Sequence, residues 1–359
     1  MHIRVQTGEH SVFHMIDTRL NLREIISQAE SADIQDLRNF LLSEGEKPLV
    51  ATGSGGAESV ADFAALLYGA IGGIGTAVSP YTLNSYSDEA LKTAKLLLVS
   101  AGGHNNDIIF AAKRGLSTNP KSTASLTLNQ SESNEVRKLF QKAGSDLSLD
   151  IPGTKTHDGF VSTGTPIKFF ALLCRAINPG KSLDRYSEIP DDSFRVELND
   201  GTPFSLKDLN GVGNFVILHG SWGRPVADNL EGKLVESGHA TACVTDFRNF
   251  CHGRFIYTSN HLEDSAVVML VSPREKDIAE RTRKFLPAKT KLVIIETEED
   301  APEASLDLLV RSTGFFFGLC DSVGVNFESP SNPGKIDKRV PMWVPFISEM
   351  KKNGPLTIR

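Results

Sequence analysis

Residues 214–237 read NFVILHGSWGRPVADNLEGKLVES, and residues 48–68 read PLVATGSGGAESVADFAALLY. Each is a short apolar run, then a turn rich in Gly and Ser, then a stretch with apolar residues at helical spacing. A buried strand that turns on glycine into an amphipathic helix is the repeating unit of a parallel sheet covered on both faces. The same alternation continues outward from both segments. In the first half the strands are Pro48–Ala51, Ala77–Ser79, Lys95–Ser100, Ser122–Leu128 and Leu147–Ile151. Helices fall over Glu58–Tyr68, from near Asp107, over Ser133–Ala143 and over Ser162–Ile177, the last ended by Asn178, Pro179 and Gly180. In the second half the strands are Asn214–Leu218, Ala240–Val244, Ala266–Val271 and Lys291–Glu296, with helices over Val226–Ser237, Lys276–Leu286 and Leu306–Cys320. A polar connector, Asp184–Asn210, joins the halves, and a hairpin is predicted over Phe194–Phe204 with its turn at Asn199, Asp200 and Gly201. The fold class is α/β: two doubly wound, three-layer α/β/α domains with mainly parallel sheets, residues 1–190 with an N-terminal helical segment and 191–359 with a C-terminal tail.

Composition narrows the function. The 359 residues are 40% apolar and 23% charged, enough to bury two cores of ordinary domain size. A net charge of −6, with no basic block and no interleaved aromatic and Arg pattern, argues against nucleic acid or an anionic membrane as partner. The implied partner is a small molecule. No apolar run approaches the ~20 residues of a membrane helix, and the opening MHIRVQTGEHSVFHMIDTRL lacks the apolar core of a signal peptide. Cys174, Cys243, Cys251 and Cys320 form no CxxC, so neither a zinc site nor a disulfide framework is expected and the cytoplasm is the expected home. Cys251 has no orienting partner nearby in sequence and reads as a buried, small apolar residue. The run YGAIGGIG at 68–75 follows a helix rather than a strand, so it is not read as a dinucleotide fingerprint.

Chemistry concentrates in residues 230–255, LEGKLVESGHATACVTDFRNFCHGRF. Moving a carbonyl between C1 and C2 of a sugar needs a base that carries one proton, a group that opens the ring, and a cation that steadies the enediolate. Lys233 and Glu236, three apart in a helical pattern, project from one face, and His252 follows after a short apolar strand. Taken alone, such a Lys–Glu pair is an ordinary surface ion pair worth a few tenths of a kcal/mol, and a lone histidine is more often a capping or core residue.

The register of these residues resembles the double sugar-isomerase-domain family, typified by the isomerase half of glucosamine-6-phosphate synthase, and the resemblance runs over nearly the whole chain. In that family a helical Lys is followed three residues on by the proton-shuttling Glu, and sixteen residues later by a His-Gly pair; here these are Lys233, Glu236 and His252-Gly253. A Pro followed five residues later by a Lys that reaches the open-chain sugar is matched by Pro330 and Lys335. Ala51, Thr52, Gly53 and Ser54 are similar to the first sugar-phosphate loop, and Gly153-Thr154 through Val161, Ser162 and Thr163 to the segment that lines the sugar pocket.

One loop departs from the pattern. The hydroxyl-rich phosphate loop after the third strand is replaced by Ser100-Ala101-Gly102-Gly103-His104-Asn105. Backbone N–H groups and a helix N-terminus there suit an anion; equally, the loop suits a larger or unphosphorylated group.

The resemblance implies a catalytic set of Glu236, His252, Lys335 and Lys233, with Thr52, Gly53, Ser54, Ser100, Gly102, Asn105, Val161 and Ser162 binding substrate. It implies aldose–ketose isomerisation of a sugar or sugar phosphate without metal or organic cofactor, in a homodimer whose His252 serves the partner's site. Two other readings stay open: a deglycase or deaminase of a sugar–amine adduct, and a non-catalytic sugar sensor. The tail from Val340 to Arg359 reads as surface packing, as a cover for the site or as a partner contact.

Overall fold

The computed structural model describes residues 20–43, 47–153 and 158–330. In chain order the elements are α1 (Leu22–Ser31), α2 (Gln35–Leu42), β1 (Leu49–Gly53), α3 (Ala57–Ala70), β2 (Gly75–Ala77), α4 (Pro80–Leu83), α5 (Asp88–Lys92), β3 (Lys95–Ser100), α6 (Asn106–Thr118), β4 (Thr123–Thr127), α7 (Glu135–Lys142), β5 (Ser148–Asp150), α8 (Gly164–Ile177), β6 (Arg195–Leu198), β7 (Asn214–His219), α9 (Arg224–Glu236), β8 (Thr241–Asp246), α10 (Phe255–Asn260), β9 (Ser265–Val271), α11 (Lys276–Phe285), β10 (Lys291–Glu296) and α12 (Glu303–Val323). They fall into two compact units, each gathered from separate stretches of chain. One holds residues 28–153 and 168–181 as far as they are described; the other holds 20–27, 158–167 and 182–330. Helix α8 gives its first turn to the second unit and the rest to the first.

The first unit is built on a five-stranded, all-parallel sheet of order β2-β1-β3-β4-β5. Its central strands are mostly apolar, as strands covered on both sides tend to be: β1 and β3 are buried at every position. On one face Val50, Leu96 and Leu98 pack with Ile108, Ala111 and Ala112 of α6 and with Val136 and Phe140 of α7. Helix α3 also packs against β1, β2 and β3. Its Phe63 stacks on Phe170 of α8 at 4.2 Å between ring centroids, and both side chains are fully buried. Burying one such aromatic is worth about 1.5–3 kcal/mol.

The second unit repeats the plan with sheet order β6-β10-β9-β7-β8. Its strands are parallel except β6, which pairs antiparallel with β10. Val216, Leu218, Val267, Met269, Val271 and Ile294 form one core with Phe247, Phe250 and Ala279. Phe215 meets Phe315 of α12 edge-on at 6.4 Å, and α9 packs against α12, β7 and β8. Read from β2 and from β8, the parallel strands of both sheets follow one order, second-first-third-fourth, with β5 at the far edge of one sheet and the antiparallel β6, which comes first in its unit, at the far edge of the other. Chain direction across the sheet therefore reverses beside β1 in the first unit and beside β7 in the second, where open α/β sheets bind ligands.

Local differences from the sequence reading have simple causes. The strand expected at Ala77–Ser79 lies at Gly75–Ala77, because Ser79 caps α4 by accepting from Thr82 N at 3.1 Å, with Pro80 opening that helix. Ser87 starts α5 in the same way. The expected hairpin turn is present: Gly201 N donates to Leu198 O at 2.8 Å and Leu198 N to Thr202 O at 2.9 Å, with Gly201 at φ +84°. Its strand β6 is spent closing an edge of the sheet on β10.

Candidate active site

Helix α9 positions Lys233 and Glu236. Pro225 stands in its first turn, and it ends at Ser237 and Gly238, whose φ of +71° only glycine adopts cheaply. Lys233 is 3% exposed and its Nζ donates to Asn229 Oδ1, one turn earlier, and to Thr313 Oγ1 of α12 at 3.4 Å. Burial drives its pKa down to about 7, against the opposing pull of the carboxylates of Asp158 and Glu236. Glu236 is exposed, yet its surroundings desolvate the carboxyl enough to raise its pKa; Lys233 opposes the shift and Glu231 adds to it.

Asp158 completes this group, and the sequence reading missed it. It accepts from Ser162 Oγ at 2.8 Å, Thr163 Oγ1 at 3.2 Å, Gly164 N at 2.8 Å and Thr165 N at 2.9 Å. Burial alone would raise its pKa; the hydrogen bonds from Thr165, Gly164 and Ser162 outweigh this and hold it low. An anion is thereby fixed at the start of α8, within electrostatic reach of Lys233. The available signal was the string DGFVSTGT, an acidic residue followed by hydroxyls ahead of a helix. Of the neighbouring expected residues, Ser162 is half-buried on Asp158 and Val161 is fully buried. Phe160 N donates to Glu328 O at 3.0 Å, which ties this segment to the chain leading towards Pro330. Lys335 and the tail from Val340 lie outside the described residues.

His252 sits in a kink. Asp246 caps the short turn after β8 by accepting from Arg248 N and Asn249 N, each at 2.8 Å, and Gly253 at φ +110° then breaks the helix before α10. The histidine is exposed, and among the described residues no hydrogen bond or ion pair joins it to Glu236 or Lys233. Cys251, expected to be buried, is exposed, because the same kink turns residues 251–257 outward: Phe255 is 42%, Ile256 54% and Tyr257 51% exposed.

In the first unit the expected binding residues gather at the carboxyl ends of β1 and β3. Thr52 is fully buried with its hydroxyl unpaired, and Gly53 is required because a Cβ there would collide with the Ala57 carbonyl. Ser54 Oγ donates to Asp107 Oδ2 at 3.5 Å. Ser100 Oγ accepts from Gly103 N at 3.2 Å, and the His104 ring folds against the half-buried Gly102. Asn105 caps α6, its Oδ1 accepting from Asp107 N at 2.9 Å and Ile108 N at 3.3 Å. Two helix N–H groups that an anion would use are thus already bonded, and a carboxylate, Asp107, faces the first loop.

No family model matches the sequence, and no curated protein matches it. Solved structures do. The chain is similar to glucosamine-6-phosphate deaminase from Thermotoga maritima, at 19% identity over 87% of this chain and 97% of that one, with a TM-score of 0.62. It is similar to tagatose-6-phosphate ketose/aldose isomerase from Escherichia coli, at 16% identity over 90% and 95% of the two chains, TM-score 0.63. The C-terminal domain of glucosamine-fructose-6-phosphate aminotransferase from Francisella tularensis matches at 10% identity over 92% and 100%, TM-score 0.61. At these identities the likeness establishes the fold, which is the double sugar-isomerase fold, and the α/β class expected from the sequence holds. No helix among the described residues is long and apolar enough to cross a membrane.

Proposed function

We propose that this chain is an aldose–ketose isomerase of a sugar or sugar phosphate that works through an enediolate. In this reading Glu236 carries the proton between C1 and C2, His252 opens the ring, and Lys233 and Lys335 stabilise the developing negative charge. Thr52, Gly53, Ser54, Ser100, Gly102, Asn105, Val161 and Ser162 hold the substrate. The observation that carries the reading is the pair on α9: a buried lysine with its pKa down near 7, beside a carboxyl whose pKa is raised towards neutrality. Enediolate charge arriving near Lys233 draws a proton onto it, so the cation forms when the transition state needs it.

The exposed position of His252, on a surface with Phe255, Ile256 and Tyr257, supports a homodimer in which this histidine serves the partner's site, and the cytoplasm is its expected home. We assign residues 1–190 and 191–359 as the two copies of the duplicated domain. A second reading, deglycase or deaminase of a sugar–amine adduct, is favoured by one observation: Asp107 facing Ser54 suits an amine-bearing substrate better than an anionic one. Incubating the protein in D₂O with a panel of aldoses, ketoses, their phosphates and fructosamine adducts, followed by NMR, tests both. Deuterium at C1 or C2 with ketose–aldose interconversion supports the isomerase. Amine release supports the deglycase. Exchange with none of them leaves the sugar sensor and removes both enzymes.

A further inference from the structure

The second sheet has a strand-order reversal of its own, and nothing in the proposed isomerisation uses it. Strand β7 runs by way of α9 to β8 on one side, and the chain then returns to β9 on the other, so the carboxyl ends of β7 and β9 form a topological switch point, the place where open α/β sheets bind ligands. β7 ends at His219 and β8 at Asp246. These two are register partners, about 4.8 Å apart across the sheet. After β9 comes Glu275, 9% exposed, accepting from Ser272 N at 3.3 Å and from Ser272 Oγ. Between β7 and α9 the turn Gly220-Ser221-Trp222-Gly223 packs tightly at both of its glycines. A Cβ on Gly220 would run into the Glu275 carboxylate, and one on Gly223 would press at 3.2 Å on His219 Cβ.

His219 is the decisive residue. It is 8% exposed, and its Nδ1 lies 2.8 Å from the carbonyl oxygen of Gly220. A carbonyl only accepts, so Nδ1 carries the proton and Nε2, on the opposite edge of the ring, presents a lone pair. Nε2 has no hydrogen-bond partner among the described residues. Burial lowers the pKa of the ring, with Arg224 acting in the same direction and the Gly220 carbonyl, Asp246 and Glu275 opposing, which agrees with a neutral imidazole. Asp246 Oδ1 accepts two backbone N–H groups and its Oδ2 accepts from Asn249 Nδ2, while Glu275 is bonded to Ser272, yet both carboxylates retain lone pairs. At the start of α9 the backbone offers few donors: Arg224 N donates to Ser221 O at 3.3 Å, Ala227 N donates to Gly223 O at 2.8 Å, and Pro225 has no N–H.

Acceptors without a matching set of free backbone donors suit hydroxyl groups, which can donate to them. Two carboxylates disfavour a phosphate. Lys233 and Glu236 stand towards the far end of the same 13-residue helix, about 14 and 18 Å along it from Arg224, so this place is separate from the proposed reaction centre.

We propose that the switch point at the ends of β7 and β9, with His219 Nε2 and Asp246 as acceptors, is a second binding site that takes the vicinal diol of a neutral sugar or ribose moiety. The test uses the full chain with ¹³C-labelled histidine. Methyl β-D-ribofuranoside, methyl α-D-glucopyranoside and adenosine are titrated while the His219 ring signal, assigned by its loss in His219→Gln, is followed. Methyl glycosides cannot open their rings, so they report binding without turnover. A saturable shift is expected, weakened about tenfold or more by Asp246→Asn, persisting in Glu236→Gln, and much reduced for 2′-deoxyadenosine, which lacks the diol. A response to all three ligands places recognition in the diol alone; a response to adenosine only identifies a nucleoside as the source. Inorganic phosphate should not compete. No saturable shift, a shift indifferent to Asp246→Asn or to loss of the diol, or displacement by phosphate overturns the proposal. Because Asp246→Asn leaves the buried histidine in place, it reads out even where His219→Gln fails to fold. A failed isomerase assay leaves these outcomes intact.

Discussion

Lys233 lies one helical turn before Glu236 on α9, with its ammonium buried against Asn229 and Thr313 while the carboxylate reaches solvent. Desolvation moves the two pKa values towards each other, the lysine down to about 7 and the glutamate upward. An ordinary surface pair keeps both charges fixed at neutral pH. Here both groups are brought nearer to the pH at which a proton can be taken up and returned, which is what a shuttle between adjacent carbons requires.

Glu236→Gln tests the shuttle. The amide keeps the size and most hydrogen bonding but cannot accept the proton, so turnover should fall by at least ~100-fold while ligand affinity changes little. Solvent-deuterium incorporation measures turnover, and a thermal shift with the same sugar measures binding. A variant that exchanges at the wild-type rate removes Glu236 from the chemistry.

Burial of Lys233 makes stability depend on pH in a defined direction. The folded chain gives up this proton near pH 7 and the unfolded chain near 10.5. Between those values the unfolded state binds more protons, so this group makes the wild type more stable as pH rises through the window. Below about pH 7 the cost of burying the ammonium is present in full. Lys233→Met has no such slope. In urea unfolding, the difference between wild type and variant should therefore move in favour of the wild type from pH 7 to pH 10. A difference that stays flat over that range means the lysine remains protonated in the folded chain.

How far the sequence could be read depends on how local the cause is. Strands β3 and β10 were legible to the residue because Lys95–Ser100 and Lys291–Glu296 are apolar runs with clear ends. The α9 pair was legible as a spacing. Its burial was not, since that depends on Thr313, 80 residues away on another helix. Asp158 gains its role through a chain reversal that brings Gly164 N and Thr165 N back to it. Exposure of Cys251 follows from one backbone angle, Gly253 at φ +110°, that composition does not reveal. Asp107 faces Ser54 only because β1 and β3 are neighbours in the sheet.

Asp158 should prove to be both a helix anchor and a charge for Lys233. Asp158→Ala strips an acceptor from Ser162, Thr163, Gly164 and Thr165 and should cost about 1–2 kcal/mol in chemical denaturation. Asp158→Asn keeps an acceptor oxygen and should cost less. Both remove the negative charge that raises the Lys233 pKa, so in each the lysine should titrate at lower pH than in the wild type, as read from its ¹⁵Nζ signal. An unchanged lysine titration with a lowered stability would reduce Asp158 to a cap.

Asp107→Asn discriminates between the two enzyme readings. The Asp107 carboxylate faces Ser54, and Asn105 already occupies the N–H groups of Asp107 and Ile108, so a phosphate entering this loop meets a negative charge and few free donors. A unit charge several ångströms from a dianion, at an effective dielectric between those of water and a protein surface, contributes roughly 1–3 kcal/mol of repulsion. Neutralising it should tighten a sugar phosphate by about fivefold or more at low salt, with the gain shrinking as ionic strength rises. The unphosphorylated sugar should bind as before. A sugar–amine adduct held through its ammonium should instead bind more weakly, since the same substitution removes its counter-charge. Calorimetry with matched phosphorylated, neutral and amine-bearing ligands separates these outcomes. If all three bind Asp107→Asn as they bind the wild type, the loop between β3 and α6 does not touch the substrate, and Ser54 and Asn105 leave the binding set with it.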